Sequence, residues 1–375
     1  MMNFPRRSLV AFPVALLAGC LFNGGSGPVA EPAPIAPPIE PPPTVPPRIT
    51  AYLIGVNSTL AAFDVDPETG LFTQVGVPAS IAVQPDHFVV DPAGKFAYVI
   101  SNVGGQADIV TFGFDETGAP VDSGQTCPAG SGLSIAMHPS GRFLYAVDPT
   151  NDLVQMFTAD DSGHLSPGVS VQTGAAPAHV STHPGGMFAY VSHNDNGIGS
   201  IRVYAIDDDG VLSEIDANRV DLLANPPGKI VIDGAGRFAY VAIFGSEVWA
   251  YEIDAATGAM TFKGQHQVGR KPLGFAVDPS GRFLYAAADE EDSITALQSS
   301  NGVLSFIDAY ATGARPDEVV VDASGRFVYV VNDDSESVSV YAIDRHTGAL
   351  MPKGPPFALP SGFFPDGIVV VERPR

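Results

Sequence analysis

From Arg48 onward the apolar positions fall in short runs, too brief for helices and too rich in β-branched and aromatic residues for loops. The stretch from Pro316 to Leu350 shows the unit in full. It reads PDEVVV, the turn DASG, the run RFVYVV, a polar segment NDDSE, the run SVSVYAI and a second turn DRHTG before Ala349 and Leu350. Valine, tyrosine and phenylalanine fill the runs while Asp, Ser, Asn and Gly separate them, which predicts strands joined by tight turns. Asp322 and Gly325 hold the first and fourth positions of a type I turn, in which the Asp carboxylate caps the following amides. Asp322 is therefore expected to be structural. No segment carries the i, i+3, i+4 spacing of an amphipathic helix.

The same unit recurs as DPAGKFAYV at Asp91, HPSGRFLYA at His138, HPGGMFAYV at His183, DGAGRFAYV at Asp233 and DPSGRFLYA at Asp278. The spacing is about 45 residues, the period of propeller blades. Residues 49–55 (ITAYLIG) match the second strand of a unit, with Tyr52 in the register of Tyr98 and Tyr329. The first strand missing there stands at the other end of the chain, where PDGIVVV at 365–371 matches PDEVVVD at 316–322. The expected fold is an all-β, seven-bladed β-propeller of four-stranded blades, its ring closed by the C-terminal strand completing the N-terminal blade. Closure hides the sheet edges that would otherwise invite aggregation. Continuous apolar runs such as Ile230 to Ile232, Val319 to Val321 and Ile368 to Val371 fit strands covered on both faces.

The N-terminus has another composition. Arg6 and Arg7 precede a short apolar core from Leu9 to Ala18, too short to span a bilayer, so residues 1–19 are expected to be an export signal. Leu17-Ala18-Gly19-Cys20 resembles the lipobox of bacterial lipoprotein signal peptides, which implies cleavage before Cys20 and lipid on its thiol. Residues 20–47 then form a Pro-rich linker of polyproline II character, and residues 48–375 form the propeller. The expected location is the bacterial cell envelope, lipid-anchored. Leu21, in place of an aspartate, leans to the outer membrane if the host is Gram-negative. The formal charge of −22 argues against nucleic acid and anionic lipid surfaces as partners, and a monomer is expected. Once Cys20 is acylated, Cys127 has no disulfide partner; it is read as a small apolar group in preference to a nucleophile.

VYVVN at 328–332 followed by SVSVYAID at 337–344 resembles YVTN-type propeller repeats. The whole unit, with its DPSGRFxYV turn and its VYxIDxxTGxL ending, is similar to the seven-bladed lactonase family that includes one type of bacterial 6-phosphogluconolactonase and the fungal carboxymuconate cyclase. APAHVS at 176–181 looks like the family's PCHVS segment and carries His179 into its histidine position, with Ala178 in place of the cysteine. The next blade departs. Where the family has PHAH and then DLGxDR, this chain has PPGKI at 226–230 and IFGSE at 243–247, so the histidines and arginine that the resemblance implies there are absent.

In such rings each first strand begins where the central channel opens. The corresponding positions supply Asp86 and His87, Leu133 and Ser134, Ala178 and His179, Gly228 and Lys229, Leu273 and Gly274, Asp317 and Glu318, and Asp366 and Gly367. Arg270, Lys271 and Arg315 stand just before two of the prolines, and the acidic loops 289–292 (DEED) and 332–336 (NDDSE) join the same face. A carboxylate arc of Asp86, Asp317, Glu318 and Asp366 opposed by these cations could bind a polar ligand, or hold calcium through Asp86, Asp317 and Asp366. The two loops themselves are read as solvated rim. A lactone hydrolase would need a base and an oxyanion partner: His179 for the first, Arg315 or Lys229 for the second. His138 and His183 take the Asp position of the turn and are expected to act locally, while His193 and Asn194 are read as a loop within reach of the rim.

There is no GxSxG elbow, HExxH, paired CxxC, P-loop or CxxCH. Three functions follow. The first is an envelope module that binds a polar ligand or a protein partner at the channel mouth without catalysis. The second is a lactone hydrolase of 6-phosphogluconolactonase type, a carboxylic ester hydrolase that acts on a small lactone and requires no cofactor. The third is a scaffold.

Overall fold

The most apolar run of each repeat becomes the second strand of a blade, buried along its whole length in Phe143–Asp148, Phe238–Ile243, Phe283–Ala288 and Phe327–Asn332. The structure is a computed structural model and describes residues 48–373 except 82, 83, 224 and 225. The expected signal segment, Cys20 and the Pro-rich linker lie outside the described residues. Seven antiparallel sheets follow one another around a ring, five with four strands and two with a short fifth. The described residues contain only two helical turns, both 3-10, at Asp216–Asn218 and Asp289–Glu291.

Blade 1 takes three strands from the start of the domain and its first strand, Pro365–Arg373, from the end. That strand pairs antiparallel with Arg48–Gly55, Tyr52 opposite Val369, as the repeat register predicts. Blades 2 to 7 begin with Pro85–Val90, Ile135–Met137, Pro177–Thr182, Pro227–Ile232, Phe275–Val277 and Pro316–Val321. These first strands contact one another in blade order, and the first strand of blade 1 contacts those of blades 7 and 2, so the ring closes. Each first strand runs from the channel mouth to the opposite face, where the repeated turns lie.

The repeated residues build the joints between blades. The ring of Phe96 in blade 2 covers Gly163 in the last hairpin of blade 3, and Phe143, Phe188, Phe283 and Phe327 cover Gly210, Gly258, Gly348 and Gly70 in the same way. Gly70 has φ +74°, and a Cβ there would lie 2.6 Å from the Phe327 ring, so both backbone and space require glycine. The second-strand tyrosine makes the matching bond. Tyr145 donates to the Gly210 carbonyl at 2.8 Å, Tyr190 to that of Gly258 at 3.1 Å and Tyr285 to that of Gly348 at 3.1 Å. Asp322 caps its turn by accepting the Arg326 and Phe327 amides, both at 2.8 Å. His138 and His183 do more than the local task expected of them. Their Nε2 atoms bond the carbonyls of Gly186 and Gly236 in the next blade, each at 2.9 Å, so these two turns also tie blades together. Where blade 1 has Thr50 in place of the phenylalanine, Arg373 fills the gap, lying 4.9 Å over the Phe114 ring and donating to the Tyr52 hydroxyl at 3.1 Å.

Candidate functional site at the channel mouth

The first strands of blades 1, 2, 5, 6 and 7 line a cavity of about 350 Å³. Asp86, His87, Lys229, Glu318 and Asp366 give it a polar upper wall, and Phe88, Phe275, Val319 and Ile368 give it an apolar floor. Register dictates this division. A β-bulge follows the opening proline in blades 2, 4, 5 and 7, between Pro85 and His87, Pro177 and His179, Pro227 and Ile230, and Pro316 and Val319, so one residue after the proline in blades 2 and 4, and two in blades 5 and 7, stand outside the regular ladder.

Blade 6 leaves an opening in the ring of side chains. A Cβ on Gly274 would fall 2.1 Å from the Asp317 carbonyl oxygen and 2.6 Å from the Glu318 Cα, so only glycine fits. Lys229 of blade 5 therefore reaches past blade 6 and forms an ion pair with Glu318 of blade 7. Both side chains are about one-fifth exposed, which leaves the pair inside the cavity wall and not on an open rim.

His87 and His179 stand with ring centroids 6.3 Å apart, edge to face. The Ile135 amide donates to Nδ1 of His87 at 3.3 Å, and the Ile230 amide donates to Nδ1 of His179 at 3.4 Å. A nitrogen that accepts carries the lone pair, so the proton of each neutral ring is on Nε2. Among the described residues neither Nε2 has a protein partner. Burial, followed by the nearby Lys229 charge, pushes His87 down to about 4. Burial, with His87 and Lys229 behind it, holds His179 well below the usual imidazole range. Both rings are neutral near pH 7 and present N–H donors. The lone pair that a base would need faces the Ile230 amide in His179, which suits this ring to donating a hydrogen bond better than to taking a proton.

The carboxyls of the arc behave in the opposite way. Burial raises Asp317 to about 7, reinforced by Glu318 and Asp366, and raises Asp366 to about 6, reinforced by Asp333 and Asp86. Asp86 is also raised by burial, and its buried Oδ2 has no partner. These groups share one field, yet they do not form the expected calcium site. Among the described residues no group of three or more His, Cys, Asp or Glu side chains is gathered closely enough to hold a metal ion.

The rim cations are occupied. Lys271 pairs with the buried Asp289, Arg270 with Glu290 at 2.8 Å, and Arg315 with Asp333 at 2.6 Å and Asp334 at 3.0 Å, with Asp289 at 3.6 Å. The acidic loops are thus held in structural contacts. Asn332 is fully buried and donates to Ser337 and Ser339, and Glu336 accepts the Gly362 amide at 2.9 Å. His193 does not reach the rim. Its strand, Phe188–Asp195, continues through the position read as a loop, so the ring is buried and bonded to Thr173 at 2.7 Å. Asn194 lies on that strand and accepts the Gly197 amide. Cys127 is buried, and burial with the Asp108 charge raises its thiol, so it is an inert apolar group.

One mouth residue escaped the sequence reading. Phe244, half-exposed at 56%, lies with its ring over Gly228 and lines a small apolar pocket with Ile243, Pro272 and Leu273 beside Lys229. An aromatic directly before Gly245 in a mouth loop was the available signal.

Comparison with known proteins agrees with this architecture. Residues 133–301 and 290–364 match the model of a lactonase family with a seven-bladed β-propeller, together well over half of the 375-residue chain. The 6-phosphogluconolactonase of Pectobacterium carotovorum is 27% identical over 246 residues, which cover 60% of this chain and 70% of that protein. That of Yersinia pestis is 26% identical over 240 residues with the same shares. A 6-phosphogluconolactonase-like chain of Bacteroides fragilis superposes with a TM-score of 0.77 at 16% identity, over 87% of this chain and 98% of its own. The periplasmic gluconolactonase of Pseudomonas aeruginosa does so with a TM-score of 0.73 at 17% identity, over 87% and 100%. At such identities the structural likeness is one of fold. On the strength of the matched segments, the chain belongs to the seven-bladed β-propeller lactonase family.

Proposed function

We propose that this protein is a lipid-anchored envelope hydrolase that opens a lactone ring at the channel mouth. One observation carries the reading: a single cavity holds a carboxyl whose affinity for protons is raised toward neutrality, Asp366 at about 6, and N–H donors from His87 and Lys229, with His179 beside them. Above pH 6 the Asp366 carboxylate takes a proton from water as the water oxygen bonds to the lactone carbonyl carbon. The carbonyl electron pair moves to oxygen, where Nε2–H of His87 and the Lys229 ammonium stabilise it. The pair returns, the ring C–O bond breaks, and the departing alkoxide takes the proton back from Asp366. The product is the hydroxy acid, and no cofactor is required. His179 serves as a donor in this scheme, and Arg315, held by three carboxylates, helps to shape the rim.

The names of the relatives support ring opening: the Pectobacterium and Yersinia proteins are 6-phosphogluconolactonases, and the Pseudomonas neighbour is a periplasmic gluconolactonase. The periplasmic neighbour also accords with the export inferred from the N-terminal segment, while lipidation at Cys20 rests on the lipobox resemblance alone. One observation favours the non-catalytic ligand- or partner-binding reading: the Lys229 charge is already neutralised by Glu318. Hydrolysis of sugar and aliphatic lactones by the full-length protein in detergent separates the two. Turnover above the spontaneous rate, lost in Asp366→Asn, supports the hydrolase, whereas background rates throughout leave a binding module or a scaffold. Palmitate label on the wild type and none on Cys20→Ser tests the anchor.

A further inference from the structure

Resting on the hydrolase reading, we infer that the substrate is an uncharged lactone bearing an apolar substituent, whose ring lies over Asp366 and Lys229 and whose substituent enters the pocket under Phe244. Two independent observations point there.

The first is charge. A phosphorylated lactone carries close to two negative charges and needs cations free to meet them. The four cations of the mouth, Lys229, Arg270, Lys271 and Arg315, all have carboxylate partners. The cavity wall adds Asp86, Glu318 and Asp366, which repel an anion. A dianion would meet a ring of carboxylates before it met any unpaired positive charge.

The second is shape. The pocket formed by Ile243, Phe244, Pro272 and Leu273 holds about 60 Å³ and adjoins the channel cavity through Lys229, which lines both. Phe244 keeps a half-exposed ring whose edge would stand 3.9 Å, van der Waals distance, from a Cβ on Gly228. The Lys271 amide donates to the Gly245 carbonyl at 2.8 Å and fixes the loop that carries the ring. An exposed aromatic held in place beside a catalytic cavity offers an alkyl group a partner that a polyol would leave unused.

The test uses the full-length protein in detergent with four probes: δ-valerolactone, its butyl-substituted homologue δ-nonalactone, D-glucono-δ-lactone and 6-phospho-D-glucono-δ-lactone. Each methylene seated contributes about fourfold, so kcat/KM for the butyl lactone is expected to exceed that for valerolactone by roughly tenfold or more. The phosphorylated lactone is expected to be the poorest of the four. Phe244→Ala should bring the butyl-to-unsubstituted ratio close to one, and because the ring is half-exposed its truncation spares the core. Glu318→Gln, which frees Lys229, should improve the phosphorylated lactone relative to the neutral ones. A butyl ratio near one in the wild type, a ratio unchanged in Phe244→Ala, or a preference for the phosphorylated lactone overturns the inference while leaving the hydrolase intact. If no lactone is hydrolysed, calorimetric titration with 6-butylpiperidin-2-one and piperidin-2-one, which resist hydrolysis, decides the subsite separately. Tighter binding of the butyl lactam, lost in Phe244→Ala, keeps the pocket and removes the hydrolase; equal or absent binding removes the pocket.

Discussion

The two faces of the propeller use the same side chain in opposite ways. On the turn face, aspartate is surrounded by donors: Asp278 accepts the Arg282 and Phe283 amides at 2.8 and 2.7 Å, and Asp322 does the same in the next blade. At the channel mouth, Asp366 and Asp317 face other carboxylates from within the protein and are raised to about 6 and 7, while Asp86 keeps a buried oxygen with no partner. Capping by amides makes a carboxylate part of the frame. Burial without donors makes it a group that exchanges protons near neutral pH. The difference follows from repetition, since a turn used in six of the seven blades is capped within itself, whereas the mouth positions differ from blade to blade and can be assigned separate tasks.

Removing the mouth carboxyl should have the largest effect. Asp366→Asn should lower kcat for lactone opening by about 10²–10⁴, the usual contribution of a positioned acid–base group. In the wild type the rate should rise with pH through about 6 as Asp366 loses its proton. A flat profile across that range, or an Asn variant of full activity, would remove Asp366 from the chemistry. Asp322→Asn should leave the pH profile where it is, because the turn lies on the face away from the cavity.

Stability should answer in the reverse sense. Asp322→Ala deprives the Arg326 and Phe327 amides of their acceptor and should cost about 1–2 kcal/mol, read as a lowered denaturant midpoint. Asp317→Asn should stabilise. A carboxyl raised from 3.8 to about 7 in the folded state favours folding fully below pH 4, and that advantage is lost as pH rises through 7. The Asn variant should therefore exceed the wild type at pH 8 by about 1–2 kcal/mol, allowing for solvent in the open channel, and match it at pH 4. A destabilised Asp317→Asn at pH 8 would mean that the carboxylate is held by contacts and does not sit in an unfavourable field.

The turn face was legible in the sequence because its devices are local and repeat: Asp to Gly within four residues, Phe and Tyr at fixed offsets, and a glycine in the last hairpin. Even the closing strand could be read, since PDGIVVV aligns with PDEVVV. The mouth was legible as a list of positions but not as partnerships. Lys229 and Glu318 are 89 residues apart and meet because Gly274 of the blade between them carries no side chain. The protonated nitrogen of His179 depends on the Ile230 amide of another blade. His193 was misplaced for a related reason, because Asn and Asp after it read as loop while the strand continues to Asp195. Long-range partners decide each of these cases, and no local pattern encodes them.

The histidine turns give the smallest effect and separate the two kinds of joint on the turn face. His183 replaces the repeated aspartate, caps through Nδ1 to the Gly185 amide at 2.9 Å and donates from Nε2 to the Gly236 carbonyl of the next blade. His183→Asp keeps a cap of the kind found in four other blades but is too short to repeat the inter-blade bond. The expected loss is that of one neutral hydrogen bond, about 0.5–1.5 kcal/mol. Asp233 shows what the shorter side chain leaves open, since one of its buried oxygens has no partner. If His183→Asp costs nothing, the histidine's reach across the joint contributes no stability, and its turn is equivalent to those capped by aspartate. A loss within the expected range would instead make the blade 4 to blade 5 joint, alongside that from His138 to Gly186, stronger than its aspartate counterparts, and would place the extra ties beneath the arc that carries His179 and Lys229.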